Sequence, residues 1–242
     1  MAQNIYDDEI FFAGYAQLPR SVQGLDGAPE WPELRAVLPA LKGKRVLDLG
    51  CGYGWFCRYA AEQGAAHVLG VDVSERMLAR AEAATSDLAI SYLRADLETF
   101  VPDAGAFDLV HSSLAFHYLE KLDALFARVH AALVPGGRLV FSAEHPIYTA
   151  PVQPGFVAFN GRRSWPVNSY LDEGPRTRDW LAEGVIKHHR TIGTYVELLL
   201  RAGFTISHLN EWAPSRAQVA AHPEWAEERD RPMFMIMACE RM

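Results

Sequence analysis

Asp48 ends the apolar run Val46-Leu47, and three glycines follow it at alternate positions, Gly50, Gly52 and Gly54. Glycine has no Cβ, so the backbone of such a turn can approach a ligand closely and adopt positive φ. An amphipathic segment begins immediately after Gly54. A helix start offers N–H groups that no helical carbonyl satisfies, which makes the stretch a ligand-binding turn. A dinucleotide turn needs glycines at its first, third and sixth positions, and here the sixth position is Trp55. A carboxylate at Asp48 would repel a pyrophosphate, whereas it would suit a ligand that carries an ammonium group. Cys51, inside the turn, reads as a small tolerated residue rather than a nucleophile.

Other polar residues recur where apolar runs end. Asp72 closes His67–Val71 and precedes Val73 and Ser74. A carboxylate there can accept both hydroxyls of a ribose in charge-assisted bonds, a device that NAD enzymes share. Asp96 and Leu97 follow Ile90–Leu93, and Ser112 follows Phe107–His111. His117 and His145 stand just beyond the fourth and fifth runs. A histidine titrates near neutral pH and can act as a general base, and His145, at the mouth of the irregular stretch that follows, is the first choice over His117. The pair His188-His189 would point to opposite faces of a strand, and no other cluster has ligand spacing, so no metal is expected.

The elements that must position these residues alternate regularly. Strands are expected at Arg45–Leu49, His67–Val71, Ile90–Leu93, Phe107–His111, Arg138–Ser142, Phe204–Leu209 and Arg231–Ala238. Helices are expected at Tyr53–Gln63, from the Ser74 cap to Ala84, at Leu122–Leu133 and at Thr194–Ala202. Val134–Gly137 reads as a tight connection. The alternation predicts an α/β fold with a doubly wound, mostly parallel seven-stranded sheet whose last strand is antiparallel. Its ligands belong beyond the carboxyl ends of the strands, near the topological switch point.

Two regions stand outside this rhythm. Residues 1–44 carry an aromatic stripe (Tyr6, Ile10, Phe11, Phe12, Tyr15, Leu18) at helical spacing, broken by Pro19. They are expected to form an N-terminal helical arm, either a lid over the site or a helix packed on the sheet. Residues 145–190 are rich in Pro, Gly, Trp, Tyr and Arg with little periodicity. A connection of that length is expected to be a cap inserted after strand five, with Phe156, Phe159, Trp165 and Trp180 lining an aromatic pocket. The remaining 45–144 and 191–242 form the ligand-binding domain.

On Asp48, the G-x-G-x-G spacing and the strand order, the sequence resembles the class I S-adenosylmethionine-dependent methyltransferases. The resemblance covers 45–143 by motif and 191–239 by pattern. It implies S-adenosylmethionine as cofactor and S-adenosylhomocysteine as product, held by Asp48, Gly50, Cys51, Gly52, Asp72, Val73 and Met77, with Tyr15 and Arg20 from the arm. It also implies that Asp96 and the Leu97 N–H read the adenine and that Ser112 lies along the methionine part. The fold and activity so implied are a Rossmann-like methyltransferase acting on a small molecule.

The bulk composition narrows the alternatives. The 242 residues are half hydrophobic with a net charge of -7, which suits one soluble domain with decoration and argues against a nucleic-acid partner. No signal-like or membrane-spanning run is read, so a cytoplasmic location without membrane association is expected. The three cysteines form no disulfide framework. Assembly as a homodimer stays open. Two other function classes also stay open: an NAD-dependent oxidoreductase, against which Trp55 and Asp48 stand, and a non-catalytic S-adenosylmethionine-binding regulator.

Overall fold

A computed structural model describes residues 3–242, so Met1 and Ala2 of the expected arm lie outside the described residues. The arm contains α1 (Glu9–Tyr15), α2 (Pro19–Val22) and α3 (Trp31–Ala36), with 3₁₀ turns at Ile5–Asp7 and Gly24–Gly27. Asp8 caps α1 by accepting the Phe11 N–H. Pro19 starts α2 at its first turn, where its missing N–H costs nothing, instead of terminating a longer helix. Phe11 is buried while Ile10, expected in the same stripe, is 71% exposed.

The central domain runs β1 (Arg45–Leu49), α4 (Trp55–Glu62), β2 (His67–Asp72), α5 (Glu75–Ala83), β3 (Ile90–Arg94), β4 (Phe107–Ser113), α6 (Leu122–Ala132) and β5 (Leu133–Glu144). The inserted segment holds α7 (Pro146–Thr149) and two antiparallel hairpins, β6 (Val157–Phe159) with β7 (Arg162–Ser164) and β8 (Gly174–Trp180) with β9 (Ala182–His189). The chain then returns through α8 (Ile192–Arg201), β10 (Phe204–Trp212), α9 (Arg216–Ala221) and β11 (Phe234–Arg241).

The main sheet has the order β10-β11-β5-β4-β1-β2-β3. Six strands run parallel, and β11 pairs antiparallel with both β10 and β5. Alternation along the strands explains the two layers that cover it. Leu47 and Leu49, Val110, Phe141 and Met237 enter one core with Leu125 and Phe126 of α6 and Leu199 of α8. Val46, Leu109, Val140 and Ile236 enter the other with Leu34 of α3 and Phe56 and Ala60 of α4. Each such fully buried Leu or Phe contributes on the order of 2 kcal/mol. Phe107 pairs with Leu133 and Leu109 with Arg138, so Val134–Gly137 are looped out of the ladder where a connection was expected. The last strand begins at Phe234, three residues later than expected, because α9 and a 3₁₀ turn at Pro223–Arg229 fill the stretch before it.

The switch point lies between β1 and β4, which are neighbours although the chain visits β2 and β3 between them. The arm and the insertion both meet the sheet at this end. Among the described residues no helix is long and apolar enough to cross a membrane.

Candidate functional site

The glycine turn after β1 opens a cavity of about 320 Å³. Gly52 lies in its wall at φ +52°, and a Cβ there would meet no protein atom within 4 Å. Gly54, at φ +70°, sits against Tyr92, whose hydroxyl would be 2.1 Å from an added Cβ. The turn is thus tight underneath and open on the cavity side, as close backbone approach to a ligand requires.

Asp72, at the end of β2, accepts the Gly52 N–H at Oδ2 (2.8 Å) and the Ser74 N–H at Oδ1 (2.9 Å). Burial pushes its carboxyl up to about 6 against the pull of those backbone N–H groups. Each oxygen keeps acceptor capacity for one more donor, which suits two vicinal hydroxyls. Val73, Met77, Asp96 and Leu97 continue the same wall. Asp96 shapes its own loop by accepting the Glu98 N–H at 2.9 Å.

The arm closes this half. Asp7 accepts from Ser74 Oγ (2.6 Å), Arg76 N (3.1 Å) and Glu75 N (3.3 Å) at the start of α5. Although burial works against it, these bonds hold the Asp7 carboxyl below its ordinary range. Gln3 bonds to Gly184 O (3.0 Å) and Ile186 N (2.9 Å) on β9. Tyr6 donates to the Tyr118 hydroxyl (3.3 Å), and Tyr6 and Tyr15 face the cavity. Arg20 also lines it, with its guanidinium forked onto Glu30 at 3.0 and 3.1 Å.

The far half is lined by Glu144 at the end of β5, Tyr148, and Arg176, Arg178, Trp180 and Lys187 of the β8–β9 hairpin. Lys187 Nζ forms a buried ion pair with Glu144 Oε1 and lies 4.7 Å over the Trp180 ring. Burial opposes ionisation of Glu144, and the paired Lys187 ammonium outweighs it, so the carboxyl is held below its ordinary range. His117 is in the wall, with Nδ1 accepting the Glu144 N–H at 3.3 Å. Burial pushes its ring down to about 4, so it is neutral at pH 7.

Ten of the residues expected from the sequence therefore meet on one cavity: Tyr15, Arg20, Gly50, Gly52, Asp72, Val73, Met77, Asp96, Leu97 and His117. Four side chains lie elsewhere. The Asp48 carboxylate, expected to face an ammonium group, is buried beneath the turn. It bonds there to His111 Nδ1 (2.8 Å) and the Cys57 thiol (3.4 Å). Cys51 is buried, and burial raises its thiol well above the ordinary value, which leaves it inert. The Ser112 hydroxyl donates to Leu49 O (2.8 Å), so Ser113 rather than Ser112 reaches the wall. His145, expected as the base, is off the cavity wall. Its Nδ1 accepts the Ile147 N–H as the cap of α7 (3.0 Å) and its Nε2 faces Glu211 (2.9 Å).

The expected aromatic pocket is corrected in the same way. Only Trp180 of the four faces the cavity. Trp165 and Phe156 stack around Arg231 at 4.2 and 5.4 Å, and Phe159 is exposed. Glu144 and Tyr118 were missed as site residues, and Arg176, Arg178 and Lys187, weighed as contacts for a carboxylated substrate but read as surface cations, line the cavity. The strand-end position of Glu144, one residue before His145, was the available signal for the first of them.

Comparison with known proteins identifies the family. The profile of a methyltransferase domain matches residues 46–137. An S-adenosylmethionine-dependent methyltransferase from Mesorhizobium loti is 58% identical in sequence and superposes with a TM-score of 0.87, covering 90% of this chain and all of that one. An uncharacterised Haemophilus influenzae protein is 34% identical over 235 residues, 93% of this chain and 90% of its own. A malonyl-[acyl-carrier protein] O-methyltransferase of Enterobacter lignolyticus is 39% identical over 109 residues, less than half of either protein (45% and 42%).

Proposed function

The chain belongs to the class I S-adenosylmethionine-dependent methyltransferase family, and from that premise we propose that it methylates a small-molecule acceptor held in the far half of the cavity. The carrying observation is that one cavity runs from the glycine turn and Asp72 to Glu144 and the β8–β9 hairpin. Its volume is within the range of small-molecule pockets. The segment 145–190 is then the acceptor cap, and residues 3–44 of the arm are a lid over the cofactor.

The residues fit the cofactor. Asp72 would take the ribose hydroxyls, Asp96 with Leu97 the adenine, and the Gly50–Gly52 backbone the amino-acid part. When bound, S-adenosylmethionine supplies a methyl group already made electrophilic by its sulfonium. What remains for the protein is to align the acceptor and to exclude water. Tyr6, Tyr15 and Trp180 form the dry wall. Among the described residues Glu144 Oε2 is buried without a hydrogen-bond partner. It is placed to accept a hydrogen bond from the acceptor's hydroxyl or amine and so to aim its lone pair. Its lowered carboxyl makes it an orienting group rather than a strong base.

The test is release of S-adenosylhomocysteine by the full chain over a panel of small metabolites and of acyl-carrier-protein conjugates. Turnover confined to the conjugates would overturn the small-molecule reading.

A further inference from the structure

The β8–β9 hairpin carries an arrangement of charge that the methyl transfer itself does not require. Residues Arg176, Arg178 and Trp180 alternate along β8, so they share a face. Val185, Lys187 and His189 are the buried residues of β9. In the hairpin register Arg176 stands directly opposite Lys187. Like charges directly opposite each other destabilise a strand pair. All three cations line the cavity, and Glu144, the carboxylate that acts on Arg178, is already occupied by Lys187.

Among the described residues the two arginines form no ion pair. Each bond that Arg178 makes goes to a backbone carbonyl: Thr149 and Pro151 from one Nη, Val152 and Thr177 from the other. Arg176 likewise bonds the carbonyls of Ala150, Pro175, Ser169 and Asp172. Carbonyls fix the position of a guanidinium without cancelling its charge. Desolvation and the neighbouring Arg176 both work against the Arg178 cation, so the cluster is held at an electrostatic cost. Asp179 stands exposed at the rim, taken by the Gly184 N–H at 3.2 Å. In a chain of net charge -7 this is a locally inverted field.

Resting on the methyl-transfer reading of this cavity, we infer that the acceptor carries a carboxylate, seated against Arg176 and Arg178 with its body against Trp180 and Tyr148. Among the described residues the carbonyl bonds leave Arg178 Nε–H and one Arg176 Nη–H without a bond. Two donors match the two oxygens of a carboxylate better than the three of a phosphate.

The experiment is calorimetric binding of benzoate, benzamide and phenyl phosphate to the full chain saturated with S-adenosylhomocysteine, at fixed ionic strength. Benzoate is expected to bind about tenfold more tightly than benzamide, and more tightly than phenyl phosphate. The preference is expected to disappear in Arg176→Gln/Arg178→Gln and to persist in Arg176→Lys/Arg178→Lys. The lysine variant keeps the charge and loses the forked carbonyl bonds, so arginines that only staple the loop would give the same result in both. Equal binding of acid and amide, absence of benzoate binding, preference for the phosphate, or a preference that survives the glutamine variant would overturn the inference. Affinity for S-adenosylhomocysteine, measured on the same samples, reads the methyltransferase assignment separately.

Discussion

The two halves of the cavity are built by different means. The cofactor half is made of strand–loop–helix junctions in which neighbours in sequence are neighbours in space. Gly50 and Gly52 follow β1, Asp72 ends β2 with Val73 just after it, and Asp96 and Leu97 follow β3. Much of its contact surface is backbone, fixed by glycine conformation and by Asp72 holding Gly52 N. The acceptor half is made of side chains brought together from distant segments, with Glu144 on β5 against Lys187 on β9, 43 residues apart. The first half is thus specified locally and suits a constant ligand. The second can be rebuilt by changing one hairpin, which suits a ligand that differs among relatives.

The largest effect that can separate the halves is at Asp72. Asp72→Ala removes two charge-assisted bonds to the cofactor, a loss of about 4 kcal/mol or roughly a thousandfold in Kd. Calorimetry with S-adenosylhomocysteine checks it, and Asp72→Asn should fall between. Unchanged affinity would sink the assignment of the cofactor half. The corresponding break in the acceptor half shows in stability. Lys187→Ala leaves the Glu144 charge buried and unpaired, which costs about 3 kcal/mol in urea unfolding. Lys187→Met combined with Glu144→Leu should recover most of it. A single-variant cost below about 1 kcal/mol would mean that water screens the pair.

This division also explains what the sequence made legible. The strand positions and the strand-end residues Gly50, Gly52, Asp72 and Asp96 follow from apolar periodicity and strand-end position, both local signals, whereas Tyr15, Arg20 and Met77 came only with the family resemblance. Asp48 was misplaced because its partner, His111, belongs to the neighbouring strand β4, and sequence spacing says nothing of which side of a strand end a carboxylate takes. The hairpins of the insertion were missed for a different reason. β8 is polar on both faces (Arg176, Arg178 and Thr177, Asp179), so strand alternation leaves no apolar stripe. One local signal was present: Asn160-Gly161, both at positive φ, turns β6 into β7 as such pairs do. His145 looked like a base because it ends the β5 run, but it caps α7, a role that only the folded insertion reveals.

A pH series sharpens the comparison at smaller amplitude. With the Asp72 carboxyl near 6, its ionised fraction falls about tenfold between pH 7 and pH 5. If the ribose donates to the carboxylate, as proposed, affinity for S-adenosylhomocysteine should fall by about that factor and be flat in Asp72→Asn. Stability without ligand should change less. The folded state binds the Asp72 proton more tightly than the unfolded state, so this group lowers stability as pH rises through about 4 to 6. His117, pushed down to about 4, acts oppositely, since the unfolded state binds its proton more tightly between about 4 and 6.5. The two contributions oppose each other over most of that window, and a titration of unfolding midpoints checks the balance.

The smallest effect tests whether the arm acts as a lid or only as packing. Asp7 ties the arm to the first turn of α5, while Ser74 separately caps that helix through Met77 N at 3.1 Å. Asp7→Ala should therefore leave α5 intact and loosen the arm alone, by about 1 kcal/mol. Amide exchange should rise across Phe11–Tyr15 and stay unchanged in α5. If the arm gates the cofactor half, S-adenosylhomocysteine should dissociate about fivefold faster, with its association rate little altered. Faster exchange without faster dissociation would make the arm a packed helix whose tyrosines line the cavity without controlling it. The residues that close the cofactor half would then have to be sought on the β8–β9 hairpin, where Gln3 makes its two bonds.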